Sequence, residues 1–394
     1  MNEKILKRGF DEIIPPEEFE KRLERDQPLR VKFGADPTGS QLHLGHAVIF
    51  NKLRQFQEAG HTVVFIIGDF TAQIGDPSGR DQTRPALSEQ EVKKNAETFT
   101  EQAFMVLDAD RTEVVYNSEW LNELGTEGLL KLASRMTVAR MLERDDFSKR
   151  FEQNNSIRIH EFLYPLLQGK DSVEIESGIE LGGTDQKFNL LVGRQLQKEA
   201  GQEPQLIGTL PILPGTDGEM KMSKTYDNHI PLDDPPQQMY GKLMSVPDYL
   251  IMPYLRLLTR LKEEEIHKIE SELRIVENPK PLKKRMADAV VTCIKGKEAV
   301  QTGRDYFERT VEQGNQPEPD EMETITVSGD EIWIVDLLDE SGLVESRGQA
   351  KRLLKQGGVY LDGDRLEGFD HDIPLDREYT LKVGKHKFRR IHPE

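Results

Sequence analysis

The chain has little of several features that define other classes of protein. It carries one cysteine, Cys293, among 394 residues, so no disulfide can form within it, as is usual in a reducing compartment. No stretch approaches the roughly 20 apolar residues that span a bilayer, and the first residues lack the apolar core of a signal peptide. We therefore expect a cytoplasmic protein with no membrane partner.

Basic residues are outnumbered by acidic ones. Lysine and arginine number 53 against 70 aspartates and glutamates, which gives a formal net charge of -17. This balance argues against a general nucleic-acid coat protein, because such a protein needs a broad basic face to displace counterions. The basic residues cluster near the end of the chain, in the acid-free segment 347–355 and in 382–390. That distribution predicts a local RNA contact by a C-terminal module.

The apolar pattern predicts an α/β core. A buried strand over 29–36, a helix over 43–59 and a second strand over 62–70 follow one another, which is the unit of a Rossmann-like, doubly wound parallel sheet. Further strands are expected near 114–116, at 173–177 and over 206–213. Ligands in such a sheet bind beyond the carboxyl ends of the strands.

The length of the chain predicts more than one domain, since 394 residues exceed the usual domain size of about 100–200 residues. We expect a catalytic domain over 1–228 with an inserted helical connecting segment, and a helical domain over 229–313. A polar, acidic stretch with two prolines begins at Gly314 and predicts a linker over 314–330. A small α+β domain should occupy 331–394, with a hairpin that turns at Asp362-Gly363.

A histidine pair marks the start of the predicted helix over 43–59. His43 and His46 are three residues apart, so both project on one face beside free backbone N–H groups. A helix start of this kind binds phosphate, and Gly45 leaves room for a nucleotide to approach. Two capping or core histidines would show the same spacing, so the motif alone leaves both possibilities open.

Two lysines lie in a loop after the strand predicted over 206–213. Lys221 and Lys224 flank a Met-Ser pair, and a loop with two ammonium groups can close over a triphosphate as charge develops on the leaving pyrophosphate. A lysine pair by itself is usually solvated surface. Here the lysine pair follows His43 and His46 in the sequence, and both pairs lie at the ends of strands of one predicted sheet. Together they indicate ATP chemistry.

The two motifs, His43-Leu-Gly-His46 and Lys221-Met-Ser-Lys-Thr225, resemble the signatures of class I aminoacyl-tRNA synthetases. Leucine at 44 and threonine at 225 are conservative departures. Four further stretches are similar to those of bacterial tyrosyl-tRNA synthetases, namely 36–39, 71–79, 164–171 and 182–186. The terminal basic module resembles a small RNA-binding domain shared with a ribosomal small-subunit protein. The resemblance covers nearly the whole chain and implies a tyrosine–tRNA ligase.

The resemblance also implies roles for individual residues. The catalytic residues would be His43, His46, Lys221, Lys224 and Thr38. ATP would contact the two lysines together with Gly45, Gly183, Asp185, Ser223, Thr225, Arg80 and Arg84. Tyrosine would be held by Asp36, Thr71, Asp76, Asn117, Tyr164, Gln168, Asp171 and Gln186. Contacts to tRNA would come from Arg347, Lys351, Arg352 and Lys355.

The tyrosine-binding assignment has physical support in the spacing of three residues. Tyr164 and Gln168 are four apart on a predicted helix, and Asp171 extends the same face. The first two, with Asp76, could accept the substrate ammonium, and Asp171 could accept the phenol hydroxyl. Two departures leave phenol recognition open: Lys32 stands where many bacterial members have a tyrosine that contacts the phenol, and Lys170 occupies a position that is commonly tyrosine.

Cofactors and partners follow from the same resemblance. ATP would bring Mg²⁺ with it, since no His/Cys/Asp cluster has the spacing of a dedicated metal site. The partners would be tRNA, L-tyrosine, ATP and a second copy of the chain, with no DNA. A tryptophanyl enzyme shares the fold and both signatures, and a synthetase-like RNA-binding protein without catalysis is a second alternative. Asp171 and the basic module favour tyrosine over the first, and the intact histidine and lysine motifs argue against the second.

Overall fold

The computed structural model describes residues 6–39, 41–75, 88–384 and 387–394. The chain forms two compact units, 1–300 and 301–394. In the described ranges no helix is both long enough and apolar enough to cross a membrane.

The first unit is built on a six-stranded sheet with the strand order β1-β6-β5-β2-β3-β4. Its strands are β1 Glu12–Ile14, β2 Arg30–Ala35, β3 Thr62–Ile67, β4 Thr112–Tyr116, β5 Ile179–Gly183 and β6 Leu206–Leu210. Only β1 runs antiparallel to its neighbour, β6, whereas the other pairs are parallel. The predicted Rossmann-like parallel sheet is therefore confirmed.

Helices cover this sheet, and the central strands are buried accordingly. All five residues of β6 and five of the six in β3 are buried, as expected for parallel strands with helices on both faces. The helices up to β6 are α1 Pro16–Leu23, α2 Leu44–Glu58, α3 Glu89–Ala103, α4 Ser118–Leu121, α5 Gly125–Ala133, α6 Val138–Met141, α7 Asp145–Glu152, α8 Ile159–Glu174 and α9 Lys187–Glu199. Those that follow are α10 Pro236–Ser245, α11 Ile251–Leu258, α12 Glu263–Leu273, α13 Lys280–Lys295 and α14 Lys297–Phe307.

The prediction of a strand at 173–177 is wrong. Helix α8 continues to Glu174, and the strand of this region, β5, begins only at Ile179. Val173 packs in the apolar cluster between the helices, so its side chain completes a helical face. The chain then turns at Glu176 in the left-handed region, with φ of +50°. Two apolar residues alternating with acids satisfied the strand pattern here, but helix packing decided the structure.

The second unit contains a five-stranded sheet, β10-β9-β12-β13-β7, and a two-stranded sheet, β11-β8. Its strands are β7 Thr324–Val327, β8 Glu331–Trp333, β9 Val359–Leu361, β10 Asp364–Arg365, β11 Asp372–Pro374, β12 Tyr379–Val383 and β13 Lys387–Pro393, and its further helices are α15 Ile334–Glu340 and α16 Arg347–Lys355. Strand β7 lies inside the range for which the sequence predicts a linker. The hairpin of β9 and β10 turns at Asp362-Gly363, where both residues have positive φ, as the Asp-Gly pair predicts.

Candidate active site

A cavity of about 690 Å³ opens at the carboxyl ends of the parallel strands. Every candidate catalytic, ATP-binding or tyrosine-binding residue that the structure describes contributes to its wall. These are Asp36, Thr38, His43, Gly45, His46, Thr71, Asn117, Tyr164, Gln168, Asp171, Gly183, Asp185, Gln186, Lys221, Ser223, Lys224 and Thr225. Asp76, Arg80 and Arg84 lie outside the described residues.

The histidine pair caps helix α2. The ring of His43, the N-cap residue, accepts at Nδ1 from the backbone N–H of Gly45 over 3.2 Å. The ring of His46 accepts at Nδ1 from the backbone N–H of His43, also over 3.2 Å. Because both Nδ1 atoms are acceptors, each neutral ring carries its hydrogen on Nε2. The capping role and the ligand role, which the sequence set against each other, are therefore compatible.

Burial keeps His43 uncharged. It lowers the pKa of His43 to about 2, and the neighbouring rings of His46 and His229 act in the same direction. The imidazole can therefore donate an Nε2–H hydrogen bond without the desolvation cost of a buried cation.

Gly45 is required by the histidine ring beside it. A Cβ at this position would lie 2.8 Å from Cε1 of His43 and 2.9 Å from its Nδ1. Gly68, which sequence reasoning missed, has a similar role near Asp36, because a Cβ there would lie 2.1 Å from Oδ1 of that carboxylate. Both glycines let a functional side chain approach the backbone.

The lysine loop is anchored while its lysines stay exposed. Met222 is buried, and its N–H donates to the carbonyl of Leu213 over 2.9 Å. Asn228 fixes the loop from the other side: its Oδ1 accepts from the N–H of Ser223 over 2.8 Å, and its Nδ2 donates to Oδ2 of Asp217 over 2.8 Å. Lys221 and Lys224 are exposed at the cavity.

The chain that follows the lysine loop pairs with the chain that leads into the histidine helix. The N–H of Leu44 donates to the carbonyl of Ile230, and the N–H of Leu232 donates to the carbonyl of Leu42, both over 2.9 Å. The rings of His43 and His229 lie 6.2 Å apart between their centroids. Two motifs that are distant in sequence are thus held together by backbone hydrogen bonds.

A second group of polar residues surrounds Asp36 at the end of β2. Tyr164 donates its hydroxyl to Oδ2 of Asp36 over 3.0 Å, and Thr71 donates to Oδ1 over 2.7 Å. Asn117 donates in turn to Oγ1 of Thr71 over 3.0 Å. The hydroxyls of Tyr164 and Thr71 thereby orient the carboxylate of Asp36 within the wall of the cavity.

Asp171 is buried and accepts from two side chains. Nε1 of Trp120 donates to its Oδ1 over 2.8 Å, and Nδ2 of Asn117 lies 3.4 Å from its Oδ2. Burial raises the pKa of Asp171 to about 7, although the ammonium of Lys32 and the two hydrogen-bond donors oppose the rise. Trp120 escaped sequence reasoning, because an isolated tryptophan in a helical stretch gives no sign of a polar partner.

Gln168 and Gln186 share one amide donor. Nδ2 of Asn189 donates to Oε1 of Gln168 over 3.0 Å and to Oε1 of Gln186 over 3.2 Å. Asn189 itself accepts from Nη1 of Arg144 over 3.1 Å. Asn189 and Arg144 were not predicted, since nothing in their sequence surroundings marks them.

The two departures from the family pattern have different surroundings. Lys170 pairs with Glu174 one turn along α8. Lys32 is fully buried and pairs with Glu180, which lines the cavity. Glu180 was also missed, although an acid inside the apolar strand β5, directly before Leu181-Gly182-Gly183, is a signal that could have found it.

In the second unit, the four predicted RNA-contacting residues lie on helix α16, where Arg347, Lys351, Arg352 and Lys355 are all exposed. Arg347 pairs with Asp336 over 3.0 Å. The ammonium of Lys351 lies 5.1 Å from the ring centroid of Trp333, and that of Lys355 lies 5.6 Å from the ring centroid of Phe369. The helix therefore presents cations beside two aromatic rings, an arrangement that can contact both phosphates and bases.

Comparisons with known proteins cover both units. Residues 24–311 match the family model of class I tRNA synthetases (W and Y), and residues 314–390 match the model of the tyrosine–tRNA ligase SYY-like C-terminal domain. The tyrosine–tRNA ligase of Thermotoga maritima is 52% identical over 98% of this chain and 96% of its own length. That of Oleidesulfovibrio alaskensis is 50% identical over 98% of each chain.

Solved structures show the same fold at lower identity. A C-terminally truncated mitochondrial tyrosyl-tRNA synthetase of Aspergillus nidulans has a TM-score of 0.65 and 23% identity, covering 76% of this chain and 91% of its own. The tyrosyl-tRNA synthetase of Archaeoglobus fulgidus, solved with L-tyrosine, has a TM-score of 0.60 and 22% identity, covering 77% and 98%.

With a parallel sheet whose strand ends carry the histidine and lysine motifs, the chain belongs to the class I tRNA synthetases of the tryptophan and tyrosine family. Relatives that match almost its full length at about half identity act on tyrosine. This chain is accordingly a tyrosine–tRNA ligase. That activity excludes a tryptophanyl-tRNA synthetase and an RNA-binding protein without catalysis.

Proposed function

We propose that the cavity binds ATP and L-tyrosine side by side, with the triphosphate at the histidine and lysine motifs and the amino acid between Asp36 and Asp171. The tyrosine carboxylate attacks the α-phosphorus, the bond to pyrophosphate breaks, and tyrosyl-adenylate forms. The terminal adenosine of tRNA then attacks the acyl carbon and AMP leaves. The observation that carries this proposal is that both groups of residues line one cavity.

His43 and His46 act as hydrogen-bond donors to the phosphates. Both rings accept a backbone N–H at Nδ1, so each ring has its donor at Nε2–H. Interactions of this type accelerate a reaction when they strengthen as charge develops in the transition state. Thr38 lies in the same wall and contacts the γ-phosphate.

Lys221 and Lys224 neutralise the leaving pyrophosphate. Both side chains are exposed on the anchored loop and line the cavity, so they are available to a bound triphosphate. Ser223 and Thr225 contact ATP from the same loop, and Arg80 and Arg84 add charge near the pyrophosphate. Catalysis is then positioning plus electrostatic stabilisation, as in phosphoryl transfer generally.

The amino-acid end of the cavity recognises a zwitterion with a phenol. The ammonium contacts Tyr164 and Gln168 together with Asp76, while Asp36, Thr71 and Asn117 shape the pocket through their mutual hydrogen bonds. Asp171 accepts the phenol hydroxyl. Gln186 lies near the reacting carboxylate, and its orientation is set by Asn189.

The nucleoside of ATP lies at the turn after β5. Gly183 ends that strand, and a Cβ there would lie 2.6 Å from Oδ1 of Asp185. This close approach suits a carboxylate that accepts both ribose hydroxyls, and Gly45 contacts the nucleotide from the same cavity.

Mg²⁺ would enter the cavity with ATP, without a dedicated protein site. Within the ranges that the structure describes, no group of three or more histidine, cysteine or acidic side chains is arranged so that it could hold a metal ion. The ion would supply positive charge on the phosphate oxygens.

The acceptor stem and body of tRNA require a larger surface than the cavity. Arg347, Lys351, Arg352 and Lys355 contact tRNA from α16, supported by their exposure and by the aromatic rings beside the lysines. The chain acts as a homodimer, so that one tRNA spans both copies. We place the enzyme in the cytoplasm, where its tRNA substrate is charged.

Pyrophosphate exchange into ATP, measured with each of the twenty amino acids, tests this proposal. Exchange should depend on tyrosine and be negligible with tryptophan and phenylalanine. The variant His46→Ala should lose about 10²–10³-fold in exchange rate, the usual cost of removing one preorganised donor, with a much smaller change in tyrosine binding. Unchanged exchange in His46→Ala would overturn the assigned role of the histidines.

A further inference from the structure

A buried ion pair lies against the amino-acid end of the cavity. Lys32 on β2 and Glu180 on β5 are Cα partners in the sheet, and their side chains are 0% and 2% exposed, with Nζ 2.8 Å from Oε1. Removing two charges from water is costly, and a well-packed apolar pair of similar volume is often at least as stable. Fold stability alone is therefore a weak reason for this pair.

The hydrogen bonds of the pair are directed at helix α8. Besides Glu180, Nζ of Lys32 donates to the carbonyl of Gln168 over 2.9 Å and to Oγ of Ser172 over 2.7 Å. Three N–H donors thus have three acceptors, all within the protein. Lys32 consequently has no N–H left for a substrate phenol, in contrast to the direct contact that a tyrosine at this position would make.

Glu180 completes the attachment to α8. Its Oε1 lies 3.3 Å from Nε2 of Gln168, and its Oε2 accepts from Oγ of Ser172 over 3.0 Å and from Nε2 of Gln205. With the Lys32 contacts, these bonds join β2 and β5 to the middle of the helix that carries the predicted tyrosine-binding residues.

The orientation of the Gln168 amide follows from these contacts. Its NH₂ group faces the Glu180 carboxylate, while its Oε1 accepts from Asn189 over 3.0 Å. An amide oxygen has two lone pairs, so Oε1 can accept a second hydrogen bond from a ligand in the cavity that Gln168 lines. The rotated amide would present NH₂ to the substrate ammonium and would repel it.

The same pair acts electrostatically on Asp171. Burial raises the pKa of this carboxyl. The ammonium of Lys32 lowers that pKa, whereas the carboxylate of Glu180 raises it further. Trp120 and Asn117, the other groups that face it, are neutral donors. Lys32 is thus the cation that favours the ionised, accepting form of Asp171.

We propose that Lys32 and Glu180 are positioning residues for tyrosine recognition: they hold the Gln168 oxygen toward the substrate ammonium and fix Asp171 on α8, without touching the phenol. This inference rests on the proposed function, in which Gln168 and Asp171 bind the amino acid. It gives Lys32, which replaces the tyrosine of many bacterial members, a role that requires no contact with the substrate.

The double variant Lys32→Met/Glu180→Leu separates positioning from stability. Removing both charges avoids an unpaired buried ion, so the variant should fold, with an unfolding midpoint close to that of the native enzyme. Steady-state exchange should show the KM for tyrosine raised at least tenfold and the KM for ATP within twofold of native. A merely structural pair would give native values of both constants in any double variant that folds, and that result would overturn the inference.

A second variant and a matched control complete the design. Glu180→Gln keeps the shape but removes the charge, and it should also raise the KM for tyrosine without changing that for ATP. The control is Arg150→Met/Glu161→Leu, because this second buried ion pair also involves α8 and neither residue lines the cavity. It should leave the KM for tyrosine within twofold of native.

Gln168→Leu distinguishes failure of the inference from failure of the proposed function. A native KM for tyrosine in this variant would contradict the role of Gln168 itself. A raised KM in Gln168→Leu together with a native KM in Lys32→Met/Glu180→Leu would contradict only the positioning role of the pair.

Discussion

Single residues of the site work in defined protonation states, and Asp171 shows the strongest dependence on its surroundings. Its carboxyl is buried among an indole, an amide and a nearby ammonium, and burial raises its pKa to about 7. The pocket therefore contains a group that titrates near neutrality, where an ordinary exposed aspartate would be fully ionised.

Tyrosine binding should weaken as the pH falls through about 7. A carboxyl whose pKa is raised is protonated below that pH, and the protonated form loses much of its strength as an acceptor for the phenol hydroxyl. The KM for tyrosine in pyrophosphate exchange should thus rise up to about tenfold for each pH unit below the pKa, with the KM for ATP changing less. Asp171→Asn serves as the control and should show a flat profile; an equally steep profile in that variant would assign the titration to another group.

Gly45→Ala should reduce catalysis through the ring of His43. A Cβ would lie 2.8 Å from Cε1 of that ring, so the ring must shift and its Nε2–H loses its direction. We expect the exchange rate to fall by about 10²-fold, with little change in the KM for tyrosine. Gly241→Ala is the matched control, since a Cβ added to this helical glycine would meet no atom of another element within 4 Å; it should keep native activity and gain slightly in stability.

At the scale of elements, the sequence predicted strands β2, β3, β4 and β6 because apolar runs decide them locally, but it did not predict β1. It failed at 173–177, where a short alternating pattern was continued as helix α8 by packing against other helices. The motifs predicted which residues meet at the cavity, since residues at the carboxyl ends of parallel strands converge.

Supporting residues were not predictable in the same way. Trp120 and Asn189 each act on a partner from another element, whereas Asn228 acts within its own loop. One sequence does not reveal that Lys32 and Glu180 are neighbours in the sheet, because that depends on the strand order. The family pattern marks Lys32 as a departure but does not identify its partner.

The lysine loop should lose its geometry in Asn228→Ala. That side chain accepts from the N–H of Ser223 and donates to Asp217 and to the carbonyl of Lys221. Losing these bonds costs about 0.5–1.5 kcal/mol each, so the KM for ATP should rise roughly tenfold while the KM for tyrosine stays native. Asn155→Ala alters an exposed asparagine whose side chain donates to Gln153, two residues away, and should change neither constant; a raised KM for tyrosine in Asn228→Ala would contradict the assignment.

At the scale of the whole molecule, large apolar side chains are exposed on consecutive helices of the first unit. Leu130, Val138, Phe151 and Ile159 lie on α5, α6, α7 and α8, with exposed fractions between 61% and 82%. Contiguous exposed apolar patches mark interaction surfaces, and we expect these four side chains to contribute to the contact with a second copy of the chain that the proposed homodimer requires.

Phe151→Glu should therefore weaken self-association. Its ring is 63% exposed, so the substitution costs little in the single chain but places a charge within the proposed contact. Sedimentation velocity should show a dimer for the native enzyme and a shift toward monomer for the variant. Ile275→Glu, at a residue that is 86% exposed and lies outside these helices, should remain dimeric; a native profile for the Phe151 variant would place the contact elsewhere.

The pairing of Leu42 and Leu44 with residues 230–232 has a consequence for biosynthesis. The histidine helix leaves the ribosome well before residues 230–232, because strands β3, β4, β5 and β6 are translated between them. Contacts of such high sequence separation form late, after the loop between them has been closed. A nascent chain that stops before this segment should fold parts of the sheet yet lack an ATP site, so the enzyme acquires its chemistry only in the later part of its own synthesis.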